Sequence, residues 1–223
     1  MKEGALNFWR RVLIGCTLIG ATAFLGQAAY ATPTLGIEYV AETPPQPTHT
    51  GNKIEVLELF WYGCPHCYHL EPLLEPWVKS LPRDVAFRRM PAALTPAWVP
   101  AVKTFYTMKA LGILSTYHER LFDAVQRQGL NITDPDALAN WFTAQGVNRA
   151  KFTSTYRSFA VANETLRAEQ MTRAYGIDGV PSIVVGGEYM TSPALTGGED
   201  RLLPVVDYLI QKVRAEHAQH ASR

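Results

Sequence analysis

The 223-residue sequence predicts an α/β fold interrupted by an inserted all-helical domain. Three observations predict it. Between residues 53 and 90 a strand-like run, a Cys-x-x-Cys segment, a helical run and a second strand-like run follow one another. Residues 95–175 then carry apolar side chains at helical spacing only. Strand signals return at 182–190, ahead of a last helical run.

Residues 1–31 read as an export signal. Lys2, Arg10 and Arg11, with Glu3 as the one acid, precede an apolar run from Val12 to Leu25, and Ala29-Tyr30-Ala31 has the small-x-small pattern of a cleavage site. The run is shorter than the roughly 20 residues a helix needs to cross a bilayer. Cleavage after Ala31 is the expectation, with an uncleaved anchor as the alternative. Leu13-Ile14-Gly15-Cys16 has the outline of a lipoprotein box, but no apolar stretch separates it from Arg11, so lipidation is not expected. Arg10-Arg11 is a weak hint of twin-arginine export. Cleavage removes three bases and one acid, which takes 21 and 20 to 18 and 19, a net charge of −1. It also removes Cys16, leaving Cys64 and Cys67. An exported protein stabilised by disulfides would spread several cysteines along its chain, whereas this one keeps a tight pair. Hydrophobic residues at 47% and charged residues at 18% fit an ordinary globular protein, and a formal charge of +1 gives no footprint for nucleic acid.

Residues 32–52 form a linker rich in Pro and Thr around a short extended stretch at 37–42. Residues 53–61 read as a buried strand ending where the cysteines begin. Residues 65–80 follow as a helix with Pro65 in its first turn, where a missing N–H does no harm, and Pro72 and Pro76 predict a kink. Residues 85–90 give the next strand, and strand–helix–strand implies a right-handed crossover and a parallel pair. In the helical stretch, Val102, Phe105, Tyr106 and Leu111, then Tyr117, Leu121, Phe122 and Val125, mark buried faces. Asp134-Pro135 opens a helix that Gly146 closes, and Gly176 ends the helix holding Leu166 and Met171. Ser182 to Val185, Gly186-Gly187 and Glu188 to Met190 read as a hairpin, and a final helix starts at Glu199. The thirds of the sequence therefore give an α/β domain of residues 53–94 and 176–223, with 95–175 inserted.

Cys64-Pro65-His66-Cys67 carries the chemistry. Cysteines three apart on the first turn of a helix bring their sulfurs together. Cys64 faces the unpaired N–H groups and the positive end of the helix dipole, which favour the thiolate. His66 adds positive charge and a possible hydrogen bond to the sulfur. Each pKa unit below 7 stabilises the reduced form by roughly 1.4 kcal/mol, or about 30 mV toward a more oxidising disulfide. A structural disulfide here would close too small a loop to restrain the unfolded chain much. Zinc lacks a second cysteine pair. Covalent haem attachment needs His after the second Cys, where Tyr68 stands. A redox pair is the reading that remains strongest.

Phe60-Trp61-Tyr62-Gly63-Cys64-Pro65-His66-Cys67-Tyr68 resembles the active-site segment of the DsbA-type periplasmic dithiol oxidases, a thioredoxin fold interrupted by a helical domain. The resemblance spans nearly all of the chain after the signal. It implies that Cys64 exchanges disulfides with substrate, that Cys67 resolves the mixed disulfide, and that Pro65 and His66 tune the pair. It also implies that Val180 and a cis Pro181 bind substrate backbone, for which Pro181 offers no competing N–H. Glu58 and Glu71 match acidic positions near the family's site and imply a proton relay to Cys67. Glu58 lies on an otherwise apolar strand, so either a buried carboxyl or an edge-facing one paired with Arg89 is open. The family often has Lys where Arg89 falls, and Arg does not readily release a proton. Trp61 and Tyr62 read as packing residues.

The expected activity is donation of the Cys64–Cys67 disulfide to exported cysteine-containing proteins in the periplasm, with recharging by a DsbB-like membrane quinone reductase. No cofactor beyond the cysteines, no metal and no nucleic-acid partner is expected, and the protein should be a monomer. A periplasmic reductase or isomerase is the alternative within the superfamily. An isomerase of the dimeric type would need a dimerisation domain, and only about 20 residues separate the cleavage site from the first long strand. A binding module for unfolded exported proteins is the alternative outside enzymes.

Overall fold

The computed structural model describes residues 32–221. The expected signal peptide and its cleavage site therefore lie outside the described residues. Five strands and eight α-helices follow in the order β1 (Val40–Ala41), β2 (Ile54–Phe60), α1 (Pro65–Ser80), β3 (Val85–Pro91), α2 (Val99–Ala110), α3 (Leu114–Gln128), α4 (Pro135–Ala144), α5 (Arg149–Tyr156), α6 (Phe159–Ala174), β4 (Ser182–Val185), β5 (Tyr189–Thr191), α7 (Pro193–Thr196) and α8 (Glu199–Ala221). A 3₁₀ turn at Pro96–Trp98 leads into α2. The strands form one sheet ordered β1-β5-β4-β2-β3.

β2 is buried at every position, because it sits between β3, parallel to it, and β4, antiparallel to it. Its near-continuous apolar sequence is what a strand covered on both faces requires. One face packs on α1 and α8 through Val56, Leu70, Leu74, Ile183, Leu202, Val206 and Leu209. The other meets the inserted helices through Leu57, Leu59, Phe60, Met90, Phe105, Leu121 and Phe122. α2 to α6 thus share a continuous core with the sheet and close one side of it.

The local chemistry explains the ends of these elements. Asp134 accepts from the Asp136 N–H at the start of α4, and Ser158 accepts from the Val161 N–H at the start of α6. Gly186 and Gly187 have φ of +64° and +71°, the left-handed pair that a tight hairpin between β4 and β5 demands. Gly187 is needed twice over, since a Cβ there would stand 2.1 Å from the Gln46 carbonyl oxygen. α1 runs through Pro72 and Pro76 as one helix. Three pieces of structure were not read from the sequence: the 3₁₀ turn before α2, the break between α5 and α6, and the short α7.

Candidate active site

β2 ends at Phe60 and the chain turns at once, with the Cys64 N–H bonded to the Trp61 carbonyl 3.0 Å away. Cys64 is therefore the N-cap of α1, in extended backbone, with Pro65 at the first helical position. Gly63 is imposed by its neighbour: a Cβ would meet the Trp61 ring at 2.3 Å. That ring is held flat on Trp98, with centroids 4.3 Å apart and planes 1° from parallel.

The two sulfurs occupy unlike environments. Both cysteines are free thiols, Cys64 partly exposed and Cys67 fully buried. A hydrogen bond from the Cys67 thiol, backbone N–H groups of Cys67 and His66, and the charge of His66 together lower the Cys64 pKa from 9.0 to about 6, against the opposing effect of burial. Burial pushes the Cys67 thiol far up, and the neighbouring Cys64 sulfur and the Glu58 charge push the same way. Cys64 is the group that ionises and meets solvent. Cys67 is the group that holds its proton.

His66 is arranged differently from the expectation of a bond to sulfur. Its Nδ1 is 2.8 Å from Glu199 Oε1, at the first turn of α8. That bond raises the His66 pKa, so His66 acts on Cys64 through charge and through its backbone N–H. Opposite it, the Val180–Pro181 peptide is cis, as is Thr43–Pro44. The Cys64 thiol donates to the Val180 carbonyl at 3.3 Å. His66, Val180, Pro181, Ser182, Ala194 and Glu199 line a groove of about 570 Å³ beside the cysteines.

Beneath the cysteines lies a buried ionic cluster. Glu58 is fully buried, which settles it against an edge-facing position, yet Arg89 is still beside it, Nε to Oε2 at 3.1 Å. The approach is not aligned as a hydrogen bond, so neither Glu58 oxygen has a donor. Burial, reinforced by the Glu71 charge and opposed by Arg89, raises the Glu58 pKa to about 8. Glu71 goes the other way. Burial alone would raise it, but His118 and Arg89 hold it below the usual carboxylate range. Arg89 Nη2 donates to Glu71 Oε2 at 2.8 Å, and Glu75 lies 3.7 Å away at the rim.

Every position read from the sequence as a site residue, Cys64, Pro65, His66, Cys67, Val180, Pro181, Glu58 and Glu71, falls in this one region. Three partners were missed. Glu199 gave no signal beyond an acid in a helix's first turn. Tyr62 was read as packing, but its hydroxyl lies 2.7 Å from His118 Nδ1. His118 itself had a usable signal: it shares the stripe of Leu121, Phe122 and Val125, a polar residue on an apolar face. Among the described residues no group of His, Cys, Asp and Glu is placed to hold a metal ion, and no helix is long and apolar enough to cross a membrane.

The sequence matches the model of the DSBA-like thioredoxin domain over residues 55–202. It is 39% identical over 206 residues to the thiol:disulfide interchange protein DsbA of Pseudomonas aeruginosa, covering 92% of this chain and 98% of that one. With the Bordetella parapertussis protein of the same name the identity is 41%, over 92% and 96% of the two chains. The crystal structure of Pseudomonas aeruginosa DsbA superposes with a TM-score of 0.79 at 39% identity, covering 83% of this chain and 97% of that one.

Proposed function

Because the chain belongs to the DSBA-like thioredoxin family and is a protein thiol–disulfide oxidoreductase acting in disulfide-bond formation, we propose that it donates the Cys64–Cys67 disulfide to exported proteins in the periplasm. The contrast between the two cysteines is the observation that carries this reading. A substrate thiolate attacks Cys64, the partly exposed sulfur. The Cys64–Cys67 bond breaks, a substrate–Cys64 bond forms, and the electron pair goes to Cys67. A buried thiolate there is very unfavourable, so Cys67 takes a proton from the Glu58 carboxyl. The second substrate thiol loses its proton to water and attacks the substrate sulfur of the mixed disulfide. Cys64 leaves as a thiolate, which its low pKa favours. Two electrons have passed from substrate to enzyme.

The groove of His66, Val180 and Pro181 suits an extended substrate segment, whose N–H can pair with the Val180 carbonyl while Pro181 presents no N–H of its own. Recharging reverses the flow. The Cys64 thiolate attacks a disulfide of a DsbB-like membrane partner, Cys67 gives its proton to a Glu58 that has first released its own to solvent and closes the bond, and the two electrons pass on toward a quinone.

Incubating the oxidised protein with a reduced, unfolded substrate containing two cysteines tests the reading. One substrate disulfide should form per enzyme molecule, and Cys64→Ser should form none. The equilibrium with glutathione should lie well on the oxidising side of that couple. A potential near that of reducing thioredoxins would replace this reading with a reductase.

A further inference from the structure

His118 comes from α3, a helix of the insertion, yet it reaches the redox cluster. It is 6% exposed, and its ring is walled by Phe60, Tyr62, Phe105 and Phe122, with centroids 5.3, 5.4, 6.3 and 5.3 Å away. Both ring nitrogens are engaged: Nδ1 with the Tyr62 hydroxyl at 2.7 Å, and Nε2 with Glu71 Oε1 at 3.2 Å.

The donor and acceptor inventory gives this chain a direction. An ionised Glu71 can only accept, so Nε2 carries the hydrogen and donates it. In the neutral imidazole Nδ1 is then an acceptor, and Tyr62, fully buried, supplies the O–H. The other Glu71 oxygen accepts from Arg89, whose Nε faces Glu58. The groups around Glu58 are thus Arg89 from β3, Glu71 and Cys67 from α1, and, through Glu71, His118 from α3. Two buried carboxyls share one guanidinium. With His118 neutral, only one can be ionised without an uncompensated buried charge, so one proton is held between them. Glu71 receives two donors and Glu58 none.

We propose that His118 is a positioning residue of the redox site: by donating to Glu71 it keeps that shared proton on Glu58, the carboxyl whose charge acts on Cys67. This deepens the reading that Glu58 exchanges a proton with Cys67, and it rests on that reading for its catalytic meaning. The inserted helices are then part of the proton chemistry as well as a cover for the sheet. Tyr62 holds the imidazole in the tautomer that serves Glu71.

Carboxyl carbon NMR of the full reduced protein, labelled in glutamate and assigned with Glu58→Gln and Glu71→Gln, tests this. In His118→Phe, which keeps a ring among the four aromatics, the Glu58 midpoint should fall by at least one pH unit and that of Glu71 should rise. His118→Gln, which keeps a donor, should restore the wild-type order, and Tyr62→Phe should shift both midpoints the same way as His118→Phe but less. If His118→Phe does not fold, the Tyr62→Phe and His118→Gln titrations decide. Midpoints unmoved in His118→Phe or, where that variant does not fold, in Tyr62→Phe would overturn the proposal. The pH profile of mixed-disulfide resolution separates the two levels. If Glu58→Gln leaves that profile unchanged, the Glu58 reading fails, while the carboxyl titrations still judge His118.

Discussion

The Cys64 sulfur lies 3.3 Å from the carbonyl oxygen of Val180, so the more exposed sulfur and the backbone proposed to face substrate are already in contact. As a thiol, Cys64 donates the one hydrogen the two atoms share. As a thiolate it has none to give, and the pair becomes two acceptors. Ionisation therefore frees the Val180 carbonyl to accept an N–H from an incoming chain.

The first prediction is the titration itself. The thiolate absorbance of the reduced protein should rise with a midpoint near pH 6, persist in Cys67→Ser and vanish in Cys64→Ser. Cys64 is an acid whose pKa is lower in the folded state than in the unfolded one. Its stabilisation of the reduced form is present in full above the unfolded value and is lost as pH falls through about 6. Denaturant melts of reduced and oxidised protein across that range check the sign.

His66→Ala should move the Cys64 midpoint upward and make the disulfide a weaker oxidant, by about 30 mV for each pKa unit lost below pH 7. Glutathione equilibria measure it. In Glu199→Gln the His66 ring should titrate at lower pH, because the bond that raises its pKa is gone. Proton NMR of the imidazole follows that directly.

Glu58→Gln should stabilise the protein at neutral pH by on the order of 1–3 kcal/mol, since a buried carboxyl without donors disfavours its charged form. Its pKa is raised to about 8, so its contribution is complete at acid pH and is lost as pH climbs through that value. The gain in the variant should shrink steadily as pH is lowered toward 4.5, the ordinary carboxyl value. Urea midpoints at several pH values would expose the opposite trend.

Gly63→Ala should cost about 1–3 kcal/mol, because the new methyl would press on Trp61 ring carbons at 2.3 to 2.5 Å and push that ring off Trp98. A lowered Tm together with a change in tryptophan fluorescence is the expected outcome.

The fold and the residues that meet at the candidate site were largely legible, for identifiable reasons. β2 is an apolar run because it is covered on both faces, and Cys64 follows it because a helix must start there. What remained hidden depends on contacts between distant segments. His66 and Glu199 are 133 positions apart, and no local pattern joins them. Tyr62 and His118 are 56 apart, and an aromatic beside a strand end looks like packing until its hydroxyl finds a partner. Glu58 posed a choice between burial and pairing that periodicity cannot make, because the residue turned out to do both.

The sheet order carries a consequence for how the chain is made. β1 borders β5, and the Thr191 hydroxyl donates to the Glu38 carbonyl across 153 positions of sequence. β2, an interior strand flanked by β3 on one side, needs β4 on its second edge. A polypeptide leaving the ribosome therefore presents residues 38–60 long before their neighbours exist. Until residues 182–191 emerge, β2 has one naked edge and the proline-rich segment before it has nowhere to dock. The protein is complete only when its tail arrives, so late truncations should leave a growing chain in need of protection rather than a smaller working enzyme.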